Sequence, residues 1–206
     1  MLDKLLGDNP AVRNLQSSAA RSLSRIGLSA NAATALGAIA GICAGVAFAK
    51  EEAGWGILLL AASAALDAVD GTLARERGQP TFLGGLADLV SDRVVESIVI
   101  IGIAWPHPSL YLPALMLVAS WYVNITVFLA VGAALERRGP KLIEYPPGIL
   151  ERTEAIIFFV VLGAIESIGF ARTIGPLLCY AMTALEIATG AQRFLFGWRM
   201  LKDSAE

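Results

Sequence analysis

Residues 67–92 read D-A-V-D-G-T-L-A-R-E-R-G-Q-P-T-F-L-G-G-L-A-D-L-V-S-D, between the runs I-L-L-L-A-A-S-A-A-L (57–66) and V-V-E-S-I-V-I-I-G-I-A-W (94–105). The flanks are as apolar as lipid-facing helices, yet Asp67, Asp70, Asp88 and Asp92 lie between them. An ionised carboxylate near hydrocarbon costs several kcal/mol unless it is paired or bound to metal, so four of them mark a site. Asp67 and Asp70 are spaced i,i+3, and Asp88 and Asp92 i,i+4, which on helices puts each pair on one face. Gly78-Gln79-Pro80-Thr81 punctuates the stretch: Pro80 stops the first helix and Thr81 is placed to cap the second, giving a hairpin. Folded back in this way, the four acids converge and repel one another unless divalent cations sit among them. An all-oxygen ligand set suits magnesium or manganese. The second helix starts about one and a half turns before Asp88, so that carboxylate lies roughly 10 Å below the turn, in a shallow cavity.

The composition is that of a membrane protein. Of 206 residues 56% are apolar and mean hydropathy is positive, which argues for an integral, polytopic, single-domain helical bundle. A net charge of -2 and the lack of a basic arm set nucleic acid aside as a partner. Cys43 and Cys179 lie in apolar runs and read as small buried hydrophobes.

Hydropathy predicts six transmembrane spans, at about 30–49, 55–78, 82–105, 109–136, 150–169 and 172–200. Before them, Val12, Leu15, Ala19, Leu23 and Ile26 recur at helical spacing, with Arg13, Gln16, Arg21 and Arg25 on other faces. Residues 1–28 therefore read either as an amphipathic helix lying in the membrane interface or as a surface helix packed on the bundle. No secretory leader is expected in them. Lys4, Arg13, Arg21, Arg25, Arg75, Arg77, Arg137, Arg138, Lys141, Arg152, Arg193, Arg199 and Lys202 fall on one side of the membrane, Lys50 and Arg172 on the other. By the positive-inside rule both termini and the acidic hairpin are cytoplasmic. His107, between Pro106 and Pro108, falls in an outer loop and is not a catalytic base.

The acidic stretch resembles the signature of the CDP-alcohol phosphotransferase (phosphatidyltransferase) family, D-x-x-D-G-x-x-A-R-x8-G-x-x-x-D-x-x-x-D. Every fixed position is filled, by Asp67, Asp70, Gly71, Ala74, Arg75, Gly84, Asp88 and Asp92. Gly27-Leu28-Ser29-Ala30-Asn31-Ala32-Ala33-Thr34 is similar to the G-L-[ST]-P-N-x-x-T segment that opens the first span in that family, with Ala30 where proline is usual. The resemblance implies an all-α class I membrane enzyme: residues 1–28 a cytoplasmic segment with an interfacial helix, residues 29–206 a six-span phosphotransferase domain in the inner membrane. It implies transfer of a substituted phosphate from a CDP-linked lipid, CDP-diacylglycerol foremost, to the hydroxyl of a small polar alcohol, with release of CMP. Two magnesium or manganese ions would be held by Asp67, Asp70, Asp88 and Asp92, and Asp92 would take the proton of the acceptor. Gly71, Ala74, Arg75, Gly84, Asn31 and Thr34 would contact the CDP donor, and a homodimer is implied as well.

Glu151-Arg152-Thr153-Glu154 and Gln192-Arg193 resemble segments of relatives that make phosphatidylinositol phosphate or related anionic lipids. There Arg152 and Arg193, with Lys141, would hold the phosphate of an acceptor such as inositol phosphate or glycerol phosphate, although charges at the cytoplasmic ends of spans also snorkel as plain anchors. Asn124 stands roughly where those relatives carry a basic residue, so a non-phosphorylated acceptor (serine, inositol, choline) is the alternative. A divalent-cation transporter would explain the acids but leaves Gly71, Arg75 and the amphipathic start without a role. A scaffold with a degenerate site fits poorly with four intact acids.

Overall fold

The computed structural model describes residues 9–76, 81–136, 148, 150 and 152–202, and of Glu76, Glu136 and Arg152 the backbone alone. All regular structure among them is helical. Helix α1 (Pro10–Arg25) starts at a standard cap: the Asn9 side chain accepts from Ala11 N–H at 2.9 Å and Pro10 takes the first turn, where no N–H is needed. Gly27, at φ +85°, then turns the chain into α2 (Ala30–Ala49), whose cap is Ser29 accepting from Ala32 N–H at 3.2 Å. Next come α3 (Ala53–Glu76), α4 (Phe82–Ala104), a 3-10 turn at Pro108–Leu110, α5 (Tyr111–Glu136), α6 (Arg152–Ser167) and α7 (Ala171–Lys202). The expected cap at Thr81 is present, its Oγ1 accepting from Gly84 N–H at 3.0 Å. Arg77 and the rest of the expected turn, Gly78-Gln79-Pro80, lie outside the described residues.

The six helices α2 to α7 coincide with the six expected spans, but only four stretches are both long and apolar enough to cross a membrane: Ala30–Ala49, Ala53–Arg75, Pro108–Leu135 and Ala171–Lys202. The other two fall short for different reasons. Helix α4 carries Asp88, Asp92, Arg93 and Glu96 within 23 residues, and α6 has 16 residues, about 24 Å against a hydrocarbon core of about 30 Å.

Packing divides the bundle into a group of α2, α3 and α4 and a pair of α5 and α7, with α6 joining them. Helices α2 and α4 run side by side in one direction, Gly41 against Val95 and Gly45 against Ile98 and Gly102, and α3 runs back beside α2. A Cβ on Gly102 would strike the backbone of Gly45, and one on Gly45 would lie 2.6 Å from the Ile98 carbonyl oxygen. Backbone cannot yield as a flexible side chain does, so this crossing needs both glycines. Gly102→Ala is expected to cost about 1–3 kcal/mol or more, read as a lower midpoint of thermal unfolding in detergent. Gly54→Ala, where an added Cβ meets no described residue within 4 Å, should leave that midpoint unchanged or slightly raised. Equal midpoints for the two variants would show that the crossing is not tight.

The core fills from all six helices α2 to α7. Phe48 is fully buried between Gly56 and Gly163, and Leu60, Val99, Ile103, Leu117, Phe159 and Leu162 belong to the same buried cluster. Trp121 stands edge-on to Phe159 at 5.8 Å between ring centres, which ties α5 to α6. Cys179 is in this core as expected, but Cys43 is exposed on α2. An apolar run in a membrane protein faces lipid as readily as core, so hydropathy alone does not separate the two thiols. Helix α1 packs on α3 through Ala20, which meets Val69 and Leu73, with Ala19 and Leu23 beside it. Leu15 and Ile26 of its expected apolar stripe remain exposed.

Candidate metal centre and adjoining cavity

Asp67 and Asp70 stand one turn apart near the end of α3, and Asp88 stands in the second turn of α4. One carboxylate oxygen from each lies within 4.8 Å of the others. Thr34, one turn into α2, directs its hydroxyl at Asp70 Oδ2 (2.6 Å) and at its own Ala30 carbonyl (3.1 Å). Asp88 Oδ1 is buried with no hydrogen-bond partner among the described residues. Three clustered anions and an orphaned buried oxygen are both costly for the protein alone, and both costs vanish around a hard divalent cation with oxygen ligands. Asp67, Asp70 and Asp88 therefore fit a magnesium or manganese ion. Asp92, one turn further along α4, is not one of the tight trio but lines the same cavity as Thr34, Asp67, Asp88 and Glu96.

Of the residues expected to meet a CDP donor, Thr34 lines the acidic cavity. Asn31 Oδ1 lies 3.5 Å from the Cβ position of Gly84, so the first turns of α2 and α4 face each other there. Arg75 is exposed and curls back, Nη2 donating to Thr72 Oγ1 at 3.1 Å, with Nη1 3.6 Å from the Cβ position of Gly71. No other described residue approaches that Gly71 position within 4 Å, which leaves room for a bulky anion beside the guanidinium. Ala74 is half-buried on the same helix.

A second, more polar cavity adjoins the first and shares Glu96 and Ala155 with it. Its wall carries Arg93, Trp121, Asn124, Glu186 and Arg193. Arg93 forms a two-pronged pair with Glu96, Nη1 to Oε2 at 2.8 Å and Nη2 to Oε1 at 2.9 Å. Arg193 donates from Nη1 to Asn124 Oδ1 at 2.9 Å and lies over the Phe128 ring, 5.0 Å from its centre. Of the three expected acceptor cations, Arg193 is thus at a cavity; Lys141 lies outside the described residues, as does the side chain of Arg152.

Sequence reasoning missed Arg93, Glu96 and Glu186. Each is a charge inside an otherwise apolar helix, the same signal that marks the aspartates. His107, expected in an outer loop, does precede the 3-10 turn beyond the far end of α4 from the acids. It is nonetheless buried, with Nε2 4.0 Å from Glu166 Oε1. Burial, and next the charge of Arg172, lower its pKa, which Glu51 partly opposes. That position keeps it away from the acidic site.

The family model described as CDP-alcohol phosphatidyltransferase matches residues 28–191. The archaetidylinositol phosphate synthase of Methanothermobacter thermautotrophicus is 33% identical over 179 residues, covering 86% of this chain and 87% of that protein. Among solved structures, the phosphatidylinositol phosphate synthase of Mycobacterium tuberculosis with CDP-DAG bound superposes with a TM-score of 0.71 at 24% identity, over 90% of this chain and 94% of that one. The same enzyme with manganese and citrate superposes with a TM-score of 0.73 at 22% identity, over 89% and 88%.

Proposed function

The chain belongs to the CDP-alcohol phosphatidyltransferase family and is an integral membrane enzyme of phospholipid synthesis; from that premise we propose that it transfers the phosphatidyl group of CDP-diacylglycerol to the hydroxyl of inositol phosphate. The observation that carries the acceptor assignment is the polar cavity of Arg193, Arg93 and Glu96 adjoining the acidic one. A fixed cation there grips a phosphate through charge-assisted hydrogen bonds that free inositol, serine or choline would leave unused. The names of the relatives, which carry an inositol phosphate product, support the same choice.

Asp67, Asp70, Asp88 and Asp92 hold two divalent cations, magnesium or manganese. When bound, such ions neutralise the diphosphate and the charge that develops on CMP as it leaves. Arg75 steadies the diphosphate from outside, Gly71, Ala74 and Gly84 leave it room, and Asn31 and Thr34 flank the nucleotide. Asp92 accepts the proton of the acceptor hydroxyl as that oxygen bonds to the lipid-bearing phosphorus and the bond to the bridging oxygen of CMP breaks. Arg193, Arg152 and Lys141 hold the acceptor phosphate.

The topology fits this chemistry. All six helices α2 to α7 span the inner membrane, the short α6 by local thinning of the bilayer around it, with both termini and the acids on the cytoplasmic side, where a nucleotide-linked donor meets a soluble acceptor. Asp88, Asp92, Arg93 and Glu96 are tolerated in α4 because they line cavities instead of facing lipid. Helix α1, with Leu15 and Ile26 exposed and Arg13, Arg21 and Arg25 beside them, rests in the interface while Ala20 anchors it to α3. Residues 29–206 act as one domain, and the enzyme works as a homodimer.

A head-group screen tests the assignment: purified protein, radiolabelled CDP-diacylglycerol, magnesium and separate acceptors, followed by lipid chromatography. Inositol phosphate is expected to give the labelled lipid most efficiently, with glycerol phosphate behind it. Arg193→Ala and Arg152→Ala should each raise the KM for that acceptor about 10- to 100-fold, the effect of one lost charged hydrogen bond, with the donor KM nearly unchanged. If serine, choline or free inositol is the better acceptor and both substitutions are harmless, the arginines are interfacial anchors.

A further inference from the structure

We infer that Glu186 and Asn124 form a positioning relay that aims the Arg193 guanidinium into the acceptor cavity, so that Glu186 sets the affinity for a phosphorylated acceptor without touching it. The inference rests on the assignment of that cavity to the acceptor.

Glu186 is buried in α7, 6% exposed, within the apolar stretch T-A-L-E-I-A-T (183–189). Both of its carboxylate oxygens are engaged: Trp121 Nε1–H donates to Oε1 at 3.1 Å, and the Asn124 amide donates to Oε2. A carboxylate receiving two donors offers acceptors only, which fixes the end of the Asn124 amide that faces it. The NH2 of Asn124 points at Glu186, and its Oδ1 is left to accept from Arg193 Nη1 at 2.9 Å. The order of donors and acceptors is then consistent from Trp121 through Glu186 and Asn124 to Arg193 in one arrangement only.

Arg193 is held on a second side by the Phe128 ring. Ring and amide together hold the guanidinium at the wall of the cavity that adjoins the acids. The negative charge of Glu186 reaches it through the amide, so the cation is partly compensated where it stands. Asn124, which at first sight weakens the case for a phosphate acceptor, is on this account the link that presents the arginine. A basic residue at 124 would pair with Glu186 directly and leave Arg193 without its acceptor at that position.

The polarity of the relay makes the test specific. In Glu186→Gln the side chain can still accept from Trp121, but its own NH2 then faces the NH2 of Asn124. With the introduced oxygen on Trp121 the Asn124 amide flips or withdraws, which turns a donor toward Arg193; with it on Asn124 the introduced NH2 meets the Trp121 N–H, and the relay loses that anchor instead. The KM for inositol phosphate is expected to rise at least about tenfold, while kcat and the KM for CDP-diacylglycerol stay within about twofold. The double variant Glu186→Gln with Asn124→Asp reverses the first link: the introduced amide donates to the introduced carboxylate, whose second oxygen accepts from Arg193, at unchanged total charge. It should return the acceptor KM to within about threefold of the starting protein. A side chain that merely fills space would not be rescued by such a swap.

Arg193→Ala, measured beside these variants, separates the two levels of the reading. If Arg193→Ala leaves the KM of every acceptor unchanged, the acceptor assignment fails and the relay with it. If Arg193→Ala raises the KM and Glu186→Gln does not, the assignment stands and the relay is overturned. Loss of affinity in Glu186→Gln that the Asn124→Asp swap fails to restore also overturns it. Should Glu186→Gln alone not fold, the double variant decides by itself: an acceptor KM near that of the starting protein supports the relay, and one equal to that of Arg193→Ala contradicts it.

Discussion

Asp67→Asn, Asp70→Asn and Asp88→Asn are each expected to lower turnover by on the order of a thousandfold or more, with the folded bundle intact. The three carboxylates offer oxygens within 4.8 Å of one another, a spacing that suits a shared cation. An amide keeps the shape and the ability to accept a hydrogen bond, but it lacks the charge that binds the ion. Metal-ion stabilisation of a phosphoryl transfer is worth several kcal/mol, and each 1.36 kcal/mol is a factor of about ten in rate, which gives the expected size. Folding should respond in the opposite sense. In the metal-free protein each substitution removes one of several mutually repelling charges, so the midpoint of thermal unfolding measured in chelator should hold or rise. For Asp70→Asn the hydrogen bond from Thr34 survives, because the amide oxygen still accepts it. Variants that lose activity only because they unfold would contradict the assignment, and a thermal scan beside the rate assay separates the two causes.

Asp92→Asn is expected to act differently, lowering kcat by roughly a hundredfold or more, the usual size of a general-base contribution, while the KM for the CDP donor changes little. Its place motivates the distinction. Asp88, Asp92 and Glu96 follow one another at i,i+4 on the face of α4 that lines the first cavity, and Glu96 also lines the second. Asp92 thus stands between the tight acidic trio and the cavity assigned to the acceptor, where a hydroxyl proton has to be collected. Pre-steady-state rates together with donor binding at equilibrium would check this. Parallel loss of donor affinity and turnover would make Asp92 chiefly a metal ligand.

Much of this arrangement is legible in the residues because the acids violate their surroundings. Four carboxylates in an apolar hairpin carry position and chemistry at once: helical spacing pairs Asp67 with Asp70, and the fold-back of the hairpin brings Asp88 to them. The cap at Thr81 is readable for a similar local reason, since a hydroxyl before a helical run has few other uses. What escapes are partnerships formed across the bundle. Thr34 reads as a residue for capping or for contacting the nucleotide, and its bond to Asp70 depends on the depth at which α2 crosses α3. Arg93 and Glu96 sit among so many Ile, Val and Leu residues that the average hydropathy of α4 stays high and conceals them. Glu186 is hidden in the same way within α7. The close crossing of α2 and α4 at Gly45 and Gly102 cannot be inferred either, because glycine in a membrane helix is compatible with tight contact, a bend or plain lipid exposure.

The most direct measurement is the release of CMP from CDP-diacylglycerol by the purified protein, with and without inositol phosphate, first in excess chelator and then after restoring magnesium or manganese. The expected result is negligible release in chelator and recovery with either ion. Release should require the acceptor and match, mole for mole, the labelled phosphatidylinositol phosphate formed. Full CMP release in excess chelator, or metal-dependent release indifferent to the acceptor, would contradict the assignment of these four aspartates to a metal-assisted phosphatidyl transfer.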